Sequence, residues 1–265
     1  MQEKQLNTIW RVPRYIPFIQ PILSEEDVVN AEKKIGYKLP LELVNILKIQ
    51  NGGYIRFTIK NIPHCQIFGI GPNEPSLINN GWSVCEIVGL IPFDGDGHWC
   101  LCLDYRENKI EPKITYIDIE NNTEKIIAEN FNDYLLLLEI ETKDIYVIAT
   151  DLAITEVIQD ISRIMQIDFE LPDSFAHGHP IFRSKYKNSW VWLSLNKVPR
   201  SFIRSNDVGN IELKSNEDMA LRYPEIPEKS VLIRMSGVNE RDIILAKLKE
   251  NSFKVHSLNE YIERF

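Results

Sequence analysis

Apolar and polar positions alternate along this chain with two periods, and the sharpest helical pattern comes early. In Leu23–Phe57, Val28, Ala31 and Ile35 recur at helical spacing behind Ser24, a residue able to accept from the orphan amides of a first turn. Asp27, three residues on, makes an acidic variant of the capping box, and Glu25, Glu26 and Asp27 place negative charge at the positive end of the dipole. Gly36 supplies the left-handed stop. A second helix is predicted from Pro40, with Leu39, Leu43, Ile46, Leu47 and Gln50 along one side, ending at Asn51-Gly52-Gly53. Tyr54–Ile59 then alternates with the period of a strand.

Strand patterns follow at Glu86–Phe93, Trp99–Asp104, Ile114–Ile119 and Ile126–Ile127, with turns at Asp94–Gly97 and Asn121-Asn122 and a helix over Phe131–Glu139. Leu152–Met165 has helical spacing, with Asp151 as its cap. Beyond it, Ile181–Lys187 and Trp190–Leu195 pair about Asn188-Ser189, and Ser201–Arg204 reads as a strand edge. Val231–Met235 is a buried strand. Asn239 is expected to cap a helix to Glu250, Phe253–His256 to form a strand, and Leu258–Phe265 to close the chain as a helix.

The first of these segments together resemble a known family. The capped acidic helix, Gly36, Leu39-Pro40, Asn51-Gly52-Gly53, Ile91-Pro92-Phe93, the turn Asp94–Gly97, Cys100–Asp104 with Tyr105-Arg106, Glu129-Asn130-Phe131 and Leu135–Leu138 are similar in order and spacing to the SUKH superfamily, whose best-known branch is named after yeast cell-wall synthesis regulators. The resemblance runs from about Pro21 to Glu139. It implies an α+β fold, a helical hairpin packed on a mostly antiparallel curved sheet, and a protein that binds other proteins. The branch of bacterial immunity proteins implies neutralisation of a toxin by direct binding. The yeast branch implies a regulatory scaffold.

At 265 residues the chain holds two domains. The expected organisation is an ordered arm over 1–20, a SUKH-like domain over 21–147 and a second small α+β domain of unrecognised family over 148–265. Residues 1–148 carry 14 Lys+Arg against 21 Asp+Glu, whereas the remainder is near neutral. An acidic first half disfavours nucleic acid and favours a basic protein partner, such as a nuclease toxin domain. The start of the sequence lacks the basic-then-apolar pattern of a secretory signal, and Asp144, Asp151 and Glu156 interrupt the longest apolar run, so a cytoplasmic protein without a membrane span is expected.

Candidate chemistry is sparse. Cys100 and Cys102 share a strand face and read as reduced core thiols. Asp94, Asp96, His98 and Asp104 are the best candidate cluster for a metal-assisted hydrolase, but the spacing lacks a full calcium loop, and Asp and Gly in a hairpin turn need no metal. His177-Gly178-His179 offers two imidazoles with no cysteine nearby to complete a zinc site. No nucleophile elbow, Walker loop or dinucleotide fingerprint is present. Lys197–Arg204 with Trp190, Trp192 and Phe202 mixes cations and aromatics, a composition also given by edge charges beside core tryptophans. The expectation is therefore a binding protein without cofactor or metal, contacting its partner through Glu74, Trp82, Asp94, Asp96, His98 and Asp104.

Overall fold

A computed structural model describes residues 8–79, 87–170, 177–203 and 218–263. It is an α+β protein of two compact units that divide between Glu141 and Thr142.

The first unit opens with helices α1 (Glu25–Ile35) and α2 (Leu41–Ile49). The capping box forms as its residues predict. Asp27 N donates to Ser24 Oγ at 3.1 Å and Ser24 N donates to Asp27 Oδ2 at 2.9 Å. These bonds hold the Asp27 carboxyl below its ordinary value. Gly36 ends α1 at φ +81°, and the Glu32 side chain accepts from Leu39 N at 3.0 Å, which fixes the turn into α2. Leu39, Leu43, Ile46, Leu47 and Gln50 are all buried.

Asn51-Gly52-Gly53 does more than end a helix. Asn51 Nδ2 donates to the carbonyls of Pro21 and Ile70, and Asn51 Oδ1 accepts from Ile70 N, so one amide clamps three chain segments. Gly52, at φ +90°, lies where a Cβ would come within 2.5 Å of Gly69 N. Beyond it, Tyr54–Ile59 is not one strand. Gly53–Tyr54 pairs with Gln66–Ile67, and Phe57–Thr58 pairs with Glu139–Ile140. The burial alternation survives, with Ile55, Phe57 and Ile59 inward, because both short pairings present the same side to one core. Ile9 and Trp10 are buried in that core as well.

Four strands follow: β1 (Leu90–Gly95), β2 (Trp99–Asp104), β3 (Lys113–Asp118) and β4 (Thr123–Ala128). They form an antiparallel meander in that order, closed by helix α3 (Phe131–Leu136). The register slips between Pro92 and Asp94, so Phe93 is an extra residue in β1. A bulge of this kind puts two consecutive side chains on one face. Phe93 and Asp94 accordingly both enter the helical core, and both are fully buried. On the other face Leu90, Cys100, Cys102 and Ile117 form a small cluster of their own, with the two sulfurs 3.5 Å apart.

The second unit contains β5 (Ile145–Ala149), α4 (Ile154–Met165), β6 (Ile181–Tyr186), β7 (Ser189–Leu195), β8 (Ser230–Met235), α5 (Val238–Glu250), β9 (Val255–Ser257) and α6 (Leu258–Ile262). Its sheet is antiparallel, ordered β6-β7-β8-β5-β9. The last four strands with α4 and α5 make a split βαβ arrangement. Helices α4 and α5 cover one face through Val157, Ile161, Met165, Ile244 and Leu248. On the other face, Tyr223, Ile226, Leu258 and Tyr261 cover Ile145, Val147 and Leu232.

The expected boundary at 147/148 falls inside β5. That strand pairs with β8 and β9 and so belongs wholly to the second unit. Two caps also differ. The helix α4 starts after Ala153, whose N–H donates to Glu156, while Asp151 pairs with Lys229. Helix α5 starts after Gly237, placing Asn239 inside its first turn. A Cβ on residue 237 would sit 1.7 Å from Ser189 Oγ, so the close approach of β7 requires glycine at that cap. Among the described residues no helix is long and apolar enough to cross a membrane.

The glycines give a stability test for urea unfolding. Gly36→Ala, with open space around it, is expected to cost about 1 kcal/mol from the left-handed backbone alone. Gly52→Ala adds a backbone clash and is expected to cost at least about 2 kcal/mol more. Equal costs would mean that the approach of residues 52 and 69 does not hold the loop.

Candidate functional site

The residues expected to act together fall into an interior group and a surface group. Asp94 is interior. Its Oδ2 lies 2.7 Å from His64 Nδ1 and accepts from Cys65 N and Gln66 N at 3.0 and 3.3 Å, while Oδ1 accepts from Gly95 N at 2.7 Å. His64 Nε2 in turn lies 2.7 Å from the Tyr134 hydroxyl. The three side chains are buried, Phe93 packs edgewise on both the His64 and Tyr134 rings, and Phe131 lies tilted against Tyr134. Complete burial, then the charge of Asp94, raises the Tyr134 phenol well above its ordinary value. The network ties β1 to the 64–66 segment and α3. Asp94 therefore offers no surface to a partner, a correction to the expected contact set that follows from the bulge.

Asp104 is also turned inward, at 8% exposure. Its carboxylate accepts from Arg106 Nε at 2.9 Å, Arg106 Nη2 at 2.7 Å and Thr115 Oγ1 at 3.0 Å. Arg106 makes a second two-pronged contact with Glu124. Burial pushes the Asp104 carboxyl up, but the Arg106 and Thr115 hydrogen bonds outweigh it and leave the group below its ordinary value. Asp104 stands opposite Leu90 whereas Asp94 stands opposite Leu101, so the two carboxylates lie at opposite ends of the β1–β2 pair. The four residues Asp94, Asp96, His98 and Asp104 are thus not brought to one point. Among the described residues no group of three or more His, Cys, Asp or Glu side chains is placed to hold a metal.

The surface group sits at the turn end of the meander. Asp96 is exposed and its Oδ1 accepts from His98 N and Trp99 N, the bonding of a polar turn. His98 Nδ1 lies 2.7 Å from Glu120 Oε1, with both side chains largely exposed. Pairing of Trp99 with Asp118 and of Leu101 with Tyr116 carries the next hairpin alongside. Tyr116 stacks on Trp99 at 5.8 Å, and burial followed by the charges of Asp118 and Asp96 raises its phenol above the ordinary value. Asn121 holds Asp118 below its ordinary value through side-chain and backbone hydrogen bonds. The result is an acidic end, Asp96, Asp118 and Glu120, around a Trp99–Tyr116 stack. Asp118, Glu120 and Tyr116 were not among the expected contacts. Their signal was the antiparallel neighbourhood of two predicted strands, which sets residues 96–99 beside 116–120.

Glu74 is exposed on a separate loop, accepting from Asn79 Nδ2 at 3.2 Å. Trp82 lies outside the described residues. A shallow groove runs along β4, lined by residues that include Ile59, Lys125, Ile126, Leu136 and Leu137; its lining contains no hydroxyl, thiol or imidazole side chain.

Comparison with a family model bears on the first unit. Residues 22–137 match the model of the SMI1 / KNR4 family (SUKH-1). Two curated relatives, both named cytidylate kinase and both from Lactococcus lactis subsp. cremoris, are 31% (strain MG1363) and 30% (strain SK11) identical over 146 residues, 53% of this chain and 60% of each relative. The chain thus spans about 60% of the length of these relatives. No solved structure matches it.

Two substitution experiments separate interior from surface. Asp94→Ala strands three backbone amides and His64, and is expected to cost about 3 kcal/mol or more in urea unfolding, against about 1 kcal/mol or less for Asp96→Ala. Equal losses would show that the buried network does not hold the unit. Asp104 has a pH signature. A depressed folded value adds stability that is complete above about pH 4 and is lost as pH falls through that lowered value. The unfolding midpoint is expected to drop more steeply below about pH 4 in the parent protein than in Asp104→Asn. Parallel curves would assign the acid sensitivity to other groups.

Proposed function

Residues 22–137 form a domain of the SMI1 / KNR4 family (SUKH-1), and from that premise we propose that the chain is a non-enzymatic protein-binding module, a cytoplasmic immunity protein that neutralises a basic toxin by occluding it. The observation that carries the reading is the acidic end of the meander. Three carboxylates, Asp96, Asp118 and Glu120, surround a Trp99–Tyr116 stack mounted on rigid antiparallel strands. Fixed negative charge steers a cationic partner and speeds encounter, while a half-buried aromatic supplies contact area that exposed charges do not.

The alternative of a metal-assisted hydrolase loses its geometric basis, because Asp94 and Asp104 are committed to structural hydrogen bonds at opposite strand ends. A kinase activity, as in the names of the two relatives, has no phosphate-cradling loop to rest on: no glycine in the sequence is followed by lysine.

The test is kinetic. Against a basic toxin domain whose gene neighbours its own, the charge-reversed variant Asp96→Lys/Asp118→Lys/Glu120→Lys is expected to associate about tenfold or more slowly at low salt, with the gap narrowing at high salt. Dissociation is expected to change less. An association rate and salt dependence unchanged from the parent protein would sink the acidic end as the docking surface.

A further inference from the structure

In the second unit, the described residues that lie on the sheet face opposite α4 and α5 gather on one side of it. Tyr223, Ile226, Leu258 and Tyr261 lie over its β8–β5–β9 side. Toward β6 and β7 the same face bears different chemistry. Trp190 and Trp192 project side by side from β7, their rings 6.4 Å apart and inclined by 26°. Trp190 is 36% exposed. Cross-strand pairing sets Lys185 opposite Trp190, and Arg183 and Arg234 on either side of Trp192. Arg183 lies over the Trp190 ring at 5.6 Å, and Arg222 donates to Ser194 Oγ on the same face at 2.8 Å. Glu170 accepts from Arg183 Nε at its edge.

We propose that this face binds single-stranded nucleic acid without sequence preference. Arg183 lies over one indole, and Lys185, Arg222 and Arg234 border the pair on a hydrogen-bonded sheet. Bases that are not stacked in a duplex can lie on the indoles while phosphates meet Arg183, Lys185, Arg222 and Arg234. An acidic peptide would satisfy the cations but has no flat rings to spread over two tryptophans. A duplex keeps its base faces inside. A phosphate reaching Arg183 competes with Glu170 at an exposed pair. The acidic balance that disfavours nucleic acid belongs to the first half of the sequence, whereas this face lies in the near-neutral second half. The inference is independent of toxin binding by the first unit.

The full chain is titrated into a fluorescein-labelled oligothymidylate of about 12 nucleotides, reading anisotropy and indole fluorescence. The expected result is saturable binding with indole quenching, weakening steeply between about 50 and 200 mM salt. Trp190→Ala is expected to weaken binding about tenfold or more, and Trp190→Phe much less, because a ring is retained. Circular dichroism of each variant confirms an unchanged fold. No anisotropy change at low salt would overturn the proposal. So would binding that Trp190→Ala leaves intact, or capture of a poly-glutamate peptide in place of the oligonucleotide.

Discussion

A carboxylate enclosed in protein must find donors for its oxygens, and the first unit is arranged round one that does. Asp94 receives three backbone amides and stands against His64, which reaches Tyr134 on the closing helix. A buried polar group of this kind is costly unless every member is satisfied, and specific when it is. Here satisfaction requires the extra residue in β1. Without it Asp94 would face the Cys100–Cys102 side, and the segment 64–66 would have no anchor on the sheet. The helical hairpin, whose second helix contacts α3, inherits its seat from that arrangement.

The same hairpin that buries Asp94 exposes Asp96 two residues later. Rigidity on the inside and charge on the outside are therefore products of one turn. Trp99 begins β2 under the turn and carries Tyr116, so that the acidic end stands on packed aromatic rings and not on a loose loop. Preorganised charge of this sort acts chiefly on encounter rate and partner discrimination. It makes no demand for a nucleophile, a metal or a phosphate cradle. Asp104 and Arg106, candidates for chemistry by residue type, instead lock the opposite end of the strands to Glu124 and Thr115.

Local signals in the sequence were read well where local physics decides the outcome. Ser24, Asp27 and Gly36 set helix α1 through contacts within four residues, and the strand Trp99–Asp104 has the bounds its pattern implies. Misreadings arose where tertiary contacts decide. Asp94 belongs to a turn by composition, and only a register slip, invisible in alternation, sends it inward. Tyr54–Ile59 keeps strand periodicity but pairs with two different partners. β5 was mistaken for a domain boundary because a central strand apolar on both faces carries no alternation to mark it. Asp118 and Glu120 required knowing which strands are neighbours, so the site was half visible in the sequence. The alternation marks both the turn and the next hairpin, but not that the two lie side by side.

The central claim is that the acidic end of a SUKH-1 domain disables a toxin by contact alone. The most direct measurement is a titration of the purified chain into a toxin domain whose gene neighbours its own, following residual toxin activity. The account predicts a linear fall to zero at one equivalent, with neither protein chemically altered when the complex is separated. Full toxin activity at large excess of the chain, or inactivation that persists after separation because the toxin has been covalently changed, would contradict it.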